Sequence, residues 1–285
     1  MDATVSIDGV LVPPERAVVS VFDRGFLYGD SVFEALRTHH GRLVFLDQHL
    51  ARLARSAERV LIAMPIERAA LRDEVLAAVR AHGKPESYVR IMLTRGDASA
   101  LGLDPDLAEN PKRVVLVTDL KLPPPSLHAH GIAAVVQRVE RPSDEVGVAS
   151  AKIGNYLVPV LALRAARAAG ASEALLEDAR GFILEGSTSN VFAVIAGKLV
   201  TPPESAAILP GITRARVLEV ARTAGYEVEL RAISRSEISR ADEVFITSSI
   251  REVVPVVKID GAPIGAGEPG PIARDLLRLY RASVL

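Results

Sequence analysis

Three consecutive prolines, Pro123-Pro124-Pro125, follow Lys121-Leu122 and constrain this chain more than any other feature. Proline fixes φ and lacks a backbone N–H, so such a run fits neither a helix interior nor a central strand. It reads as a linker that cuts the 285 residues unequally. The expected division is a smaller N-terminal α+β domain over residues 1–120, a linker over 121–128 and a larger C-terminal domain over 129–285. A chain of this length suits about two domains.

Apolar periodicity fills in both sides. Thr4 to Val12 alternates around Asp8-Gly9 and predicts a tight hairpin. Ser31 to Arg37 and Arg42 to Phe45 predict another around His39-His40-Gly41. Leu50, Leu53, Ala57, Val60 and Leu61 recur at helical spacing, so Leu46 to Ile62 is an expected helix, and Leu71 to Val79 repeats the pattern. Strands are expected at Ser87 to Thr94 and Arg113 to Thr118. Past the prolines come a strand, Ile132 to Arg138, and a helix, Leu157 to Ala169. Four strands follow: Ala174 to Glu177, Phe182 to Glu185, Asn190 to Ile195 and Lys198 to Thr201. A helix from Ile212 to Ala224, strands at Glu227 to Arg231 and Val244 to Thr247, and a helix from Ile272 to Tyr280 complete the set. The connections are mostly local, unlike the regular alternation of a doubly wound nucleotide fold.

Composition removes several functions. The net charge of −1 argues against nucleic acid or an anionic membrane as partner. With no cysteine there is no disulfide framework, no thiolate metal site and no cysteine nucleophile, and the six histidines show no metal-ligand spacing. No metal is expected. The first residues do not read as a secretory signal, and no apolar run approaches the roughly 18–20 residues that span a bilayer, so the expected compartment is the cytoplasm.

Five places could carry chemistry. Leu209-Pro210-Gly211-Ile212-Thr213-Arg214 punctuates the chain just before a helical pattern. Its free amides, the helix dipole and the Thr213 hydroxyl would hold an anion, although an ordinary capped helix has the same look. Thr247-Ser248-Ser249 ends a β-rich run and offers hydroxyls to phosphate, or simply makes a turn. Arg52, on the predicted helix, would neutralise a dianion or sit in solvent. Lys152 lies among small apolar neighbours (Val146 to Ala151), and desolvation turns a lysine into an amine nucleophile. Glu185 precedes Gly-Ser-Thr-Ser-Asn at a strand end.

Taken in order, these segments resemble the fold-type IV pyridoxal-phosphate aminotransferases. That family includes branched-chain and D-amino acid aminotransferases, (R)-amine transaminases and 4-amino-4-deoxychorismate lyase. The resemblance runs from Asp23-Arg24-Gly25 and Tyr28-Gly29-Asp30-Ser31-Val32-Phe33-Glu34 through His49-Leu50-Ala51-Arg52-Leu53 and Tyr88-Val89-Arg90. It continues with Lys152-Ile153-Gly154-Asn155-Tyr156, Glu185-Gly186-Ser187-Thr188-Ser189-Asn190-Val191-Phe192, Leu209 to Arg214, and Asp242 to Ser249.

The resemblance implies a two-domain α+β fold like that of D-amino acid aminotransferase, each domain a mixed sheet with packed helices. It implies pyridoxal 5′-phosphate held by Lys152 as a Schiff base, with Glu185 facing the ring nitrogen to keep the electron sink charged. Tyr156 would reach the phenolic oxygen, and Leu209 would pack on the ring. Arg52, Gly211, Ile212, Thr213, Ser248 and Ser249 would hold the phosphate, with Asn190 beside the ring. Tyr28, Phe33, Tyr88 and Arg90 match pocket positions of branched-chain enzymes, and Arg90, Arg95 or Arg251 would take a substrate carboxylate.

Two departures blur the subgroup. The Lys152-to-Tyr156 spacing is one residue shorter than in typical branched-chain enzymes. The Arg-x-His carboxylate trap of D-amino acid enzymes is missing from Thr94 to Gly102. The expected activity is transamination from an apolar, branched-chain amino acid to 2-oxoglutarate or another 2-oxo acid, by a homodimer. D-amino acid or (R)-amine transamination, deoxychorismate lysis and a non-catalytic cofactor-binding role are the alternatives.

Overall fold

The computed structural model describes residues 2–139, 148 and 150–284. The chain divides into two compact units: Met1–Lys121 with Ala151–Tyr156, and Leu122–Ser150 with Leu157–Leu285. Residues 151–156, expected in the C-terminal part, thus belong with the first unit. Backbone hydrogen bonds explain this: Phe33 donates to the Lys152 carbonyl at 3.0 Å and Gly154 to that of Ser31 at 2.7 Å.

The first unit holds β1 (Ala3–Ile7), β2 (Val10–Val12), α1 (Arg24–Tyr28), β3 (Ser31–His39), β4 (Arg42–Leu43), α2 (Leu46–Arg59), α3 (Arg68–His82), β5 (Ser87–Thr94), β6 (Asp97–Ala98), β7 (Ala108–Glu109) and β8 (Arg113–Asp119). Among the described residues, six of these strands form a sheet in the order β2-β1-β8-β5-β3-β4. Every pairing in it is antiparallel, where a mixed sheet was expected. The reason is the α2–α3 excursion. It leaves and rejoins the sheet at one end of β3, where Ser87 N–H meets the Thr38 hydroxyl, so β5 must run back along β3.

One face of this sheet is the core. Leu50, Leu53 and Ala57 of α2, with Leu71, Val75 and Ala78 of α3, close over Val32, Leu36, Val89, Ile91, Leu93, Val115 and Val117. The spacing of these apolar residues is what makes both helices amphipathic.

The second unit holds α4 (Ser126–His130), which begins within the expected linker and runs past its end, then β9 (Ile132–Arg138), α5 (Leu157–Ala168), β10 (Glu173–Glu177), β11 (Phe182–Gly186), β12 (Asn190–Ile195) and β13 (Lys198–Thr201). It continues through α6 (Ile212–Thr223), β14 (Val228–Leu230), β15 (Ile233–Ser234), α7 (Arg235–Ile238), β16 (Glu243–Ser248), β17 (Glu252–Ile259), β18 (Ala262–Pro263) and α8 (Pro271–Val284). The sheet order is β14-β13-β12-β16-β17-β9-β10-β11-β15, with β18 on β17. This sheet is mixed: β9 runs parallel to both β10 and β17.

Sequence reading missed β17, the strand at the middle of that order. Pro255 in its interior reads as a breaker. In the structure Pro255 lies opposite Phe245 of β16, while the ladder to β9 begins only at Val256, so on that side the missing N–H falls before the ladder starts.

One apolar cluster gathers Ile132 and Ala134 of β9, Leu175 of β10, Ile183 of β11, Val191 of β12, Val200 of β13, Ile246 of β16 and Val254 of β17. With Ile233 of β15 in the same cluster, eight strands face a common interior. Among the described residues no helix is long and apolar enough to cross a membrane.

Ile91, at the centre of the first sheet, is fully buried. Ile91→Ala should cost about 3 kcal/mol through lost burial and the cavity left behind, read as a lower urea midpoint at unchanged slope.

Candidate active site

In the first unit the chemistry gathers around β3. Cross-strand register puts Phe33 opposite Met92, Ala35 opposite Arg90 and Arg37 opposite Tyr88, so Phe33, Tyr88 and Arg90 share the face turned away from α2 and α3. Residues 152–154 lie along β3, with a bridge between Val32 and Ile153. Gly154 is needed there, because a Cβ would overlap the Ser31 hydroxyl. The Lys152 Nζ donates to the Tyr156 hydroxyl at 2.9 Å and lies 4.5 Å from the centre of the Phe33 ring. Tyr156 and Phe33 meet edge to face at 5.0 Å, and the Arg90 guanidinium stacks 3.9 Å from the Phe33 centre. The structure therefore brings Lys152, Tyr156, Phe33 and Arg90 together. Val146, Gly147 and Ala149, read as apolar neighbours of Lys152, lie outside the described residues.

The opposite face of β3 carries Glu34, which sequence reading quoted but gave no role. Its buried carboxylate accepts from Arg52 Nε and Nη2 and from His49 Nδ1, each at 2.7 Å. Burial alone would raise the Glu34 pKa, but the charge and hydrogen bonds of Arg52, with that of His49, hold it at about 2. Burial lowers the His49 pKa against the opposing pull of Glu34, with the Arg52 and Lys152 charges adding to the fall, so His49 is a neutral donor at neutral pH. One turn on, the Ser56 hydroxyl accepts from the Lys152 backbone N–H at 3.1 Å. His49, Arg52 and Ser56 are polar residues on the apolar stripe of α2, and that misplacement is the signal by which they are legible.

Arg95 does not join the Lys152 group. Its Nε and Nη2 hold Asp30, at 2.7 and 3.0 Å, and its remaining contacts are the carbonyls of Val60 and Leu61. Tyr28 also stands apart: its hydroxyl accepts from Gly102 N–H at 3.2 Å and its ring lies under Arg24. By contrast, Arg90 has no hydrogen-bond or ion-pair partner among the described residues.

In the second unit the predicted residues collect at one end of the sheet. Glu185 lies near the end of β11, Asn190 begins β12 opposite Thr247 of β16, and α6 starts after Leu209-Pro210-Gly211. Glu185 Oε2 accepts from Leu209 N–H at 3.1 Å and from Asn190 Nδ2 at 3.5 Å; the same Nδ2 donates to the Leu209 carbonyl at 2.8 Å. The carboxylate is thereby aimed by two fixed donors. At the head of α6, N-cap Gly211 offers no side chain to the first amides, and the buried Thr213 hydroxyl has no hydrogen-bond partner. The Thr247 hydroxyl is buried and unpartnered in the same way. Orphaned hydroxyls with uncapped helix amides are the donor set of an anion site. Ser248 Oγ accepts from Arg251 N–H at 3.2 Å.

Two further residues had no role in the sequence reading, Arg214 quoted only as the end of its motif and Glu173 not at all. Arg214 is buried in the first turn of α6 and donates to the Pro202 carbonyl at 2.8 Å. Glu173 is buried at the head of β10 and pairs with Arg251, which is therefore committed to a carboxylate of its own chain.

Comparison with known proteins identifies the family. The family model for amino-transferase class IV matches residues 31–259. A Methanocaldococcus jannaschii protein, whose name gives it provisionally as a branched-chain-amino-acid aminotransferase, is 38% identical over 277 residues, covering 97% of this chain and 95% of its own. The D-alanine aminotransferase of Bacillus licheniformis is 32% identical over 289 residues, covering 99% and 97%. A branched-chain amino acid aminotransferase from T.th., solved with N-(5′-phosphopyridoxyl)-L-glutamate, superposes at a TM-score of 0.92 with 33% identity, covering 99% of this chain and 93% of its own. The chain belongs to the class IV aminotransferases.

The Glu34–Arg52 pair predicts an acid limb. A carboxylate whose folded pKa is depressed contributes stability above its ordinary pKa and loses it as pH falls through the folded one. Between about pH 4.5 and 2, denaturant titrations should lose about 3 kcal/mol from this group. Glu34→Gln should start less stable at pH 7, with the buried Arg52 charge deprived of the Glu34 carboxylate, and should lack that part of the limb.

Proposed function

We propose that this chain is a pyridoxal 5′-phosphate-dependent transaminase that moves the amino group of an apolar, branched-chain L-amino acid to 2-oxoglutarate or another 2-oxo acid. The observation that carries the reading is the Lys152 amine, held by Tyr156 over the Phe33 ring, with Arg90 stacked on that ring. When bound, the cofactor supplies an electron sink for bonds broken at the substrate Cα.

Lys152 would hold the cofactor through its amine and would move a proton at the substrate Cα. Tyr156 orients the amine. Glu185, fixed by Leu209 and Asn190, holds the proton on the ring nitrogen. The α6 amides, the Thr213 hydroxyl and Ser248-Ser249 take the phosphate; the unpartnered Thr213 and Thr247 hydroxyls support that assignment. Arg52 keeps the phosphate role that the family resemblance gives it, its Nε and Nη2 anchored on Glu34. Arg90 takes the substrate carboxylate, since Arg95 and Arg251 are engaged elsewhere. Phe33 and Tyr88 give the side-chain pocket an aromatic, apolar wall.

A second reading, D-amino acid transamination, is favoured by the short Lys152-to-Tyr156 spacing and by the similarity to a D-alanine aminotransferase. A homodimer is proposed on family grounds alone, and a cytoplasmic location on the sequence expectation alone.

The test is a half-reaction. With cofactor bound and no acceptor present, L-leucine should bleach the visible band of the lysine-bound form, and D-leucine and D-alanine should not. Bleaching by the D-amino acids alone would select the second reading. Inertness toward both would overturn these two readings and leave (R)-amines and aminodeoxychorismate as the substrates to try, and full turnover by Lys152→Ala would overturn the catalytic assignment of Lys152. Glu185→Gln should still bind the cofactor yet slow the half-reaction by at least about a hundredfold.

A further inference from the structure

Glu173 is fully buried at the head of β10. It accepts from the amides of Ala174 at 3.0 Å and Ser187 at 3.1 Å, from the hydroxyls of Ser187 and Ser189, and from Arg251 Nη2 at 2.6 Å. The same Nη2 donates to the Thr188 hydroxyl at 3.0 Å, and the Arg251 backbone N–H donates to Ser248 Oγ. Two turns meet on this ion pair. One runs over residues 187–189, with Glu185 just before it and Asn190 just after. The other runs from Ser249 to Arg251 and follows Ser248. Apart from Ala174 N–H, every donor to Glu173 comes from one of these turns. Gly186 completes the joint, since a Cβ there would overlap the Ser189 hydroxyl.

We propose that Glu173 and Arg251 are positioning residues: their ion pair, in which the carboxylate is buried and the guanidinium partly exposed, fixes the turn that aims Glu185 against the turn that presents Ser248-Ser249, so that both ends of one cofactor are met by a single preformed geometry. This rests on the assignments of Glu185 and Ser248-Ser249 made above. Burying a carboxylate is a poor source of net stability compared with apolar packing, and here its hydrogen bonds go to the two turns rather than into the apolar interior. Donors held before the ligand arrives need no reordering when it binds, and small misplacements of such groups are costly. Arg251 acts through its grip on Glu173 and Thr188, not by contact with the substrate.

The experiment measures the cofactor dissociation constant by titrating apoenzyme with pyridoxal 5′-phosphate, alongside the half-reaction with saturating cofactor. Arg251→Ala should weaken cofactor binding about tenfold or more and slow the half-reaction at saturation, and Arg251→Lys, which keeps the charge, should recover most of both losses. The double variant Glu173→Gln/Arg251→Ala buries no unpaired charge, so it stays folded even where Arg251→Ala does not, and it should remain about tenfold weaker. Wild-type affinity in the folded double variant overturns the proposal. So does a rise in amino acid KM alone with cofactor affinity unchanged, which would make Arg251 a substrate ligand. Failure of the wild-type protein itself to bind the cofactor would instead sink the assignments on which the proposal rests.

Discussion

A turn of three residues cannot cross five strand spacings of flat sheet. β11 and β12 are joined by residues 187–189, yet they stand five pairings apart in the strand order. Flat, that separation is about 24 Å, while four Cα steps reach at most about 14 Å. The second sheet must therefore curl until its β11 and β12 ends meet, and Gly186 N–H donating to the Ser189 carbonyl at 2.7 Å marks the meeting point. Much else follows from that closure. It gives eight strands a single apolar interior. It also delivers Glu185, Asn190, Thr247 and the head of α6 to one end, though they are scattered over the sequence.

The first unit solves a related problem with charge. β3 is buried on both faces, so Glu34 can be ionised only if α2 brings it compensation. Arg52 and His49 do so, and Ser56 on the same stripe takes the backbone of the Lys152 segment. One helix thus neutralises the strand beneath it and sets the height of the amine. On the other face the aromatic ring of Phe33 is shared by two cations, Lys152 and Arg90.

Much of this was legible in the sequence. Periodicity located most helices and strands to within a few residues, and local cues marked the amides of Ile212 and Thr213. Two kinds of information were not local. β17 was hidden because Pro255 is acceptable only when the neighbouring ladder starts one residue later, a matter of register. The arginines were misjudged for a similar reason. Arg95, Arg251 and Arg90 look alike in sequence, but Asp30 and Glu173 engage the first two across long chain separations, and only Arg90 is left with an aromatic ring. Residues 151–156 were assigned by order along the chain, whereas hydrogen bonds to β3 decide where they fold.

That last segment has a consequence for how such a chain can be divided. Lys152 is continuous on both sides with the second unit, but its backbone is hydrogen-bonded to the first. A gene cut at the prolines would leave the amine on a fragment that lacks β3 and α2, the elements that hold it. Neither half made by such a cut would carry both the amine and the strand that holds it, so the prolines are not a boundary between self-sufficient modules.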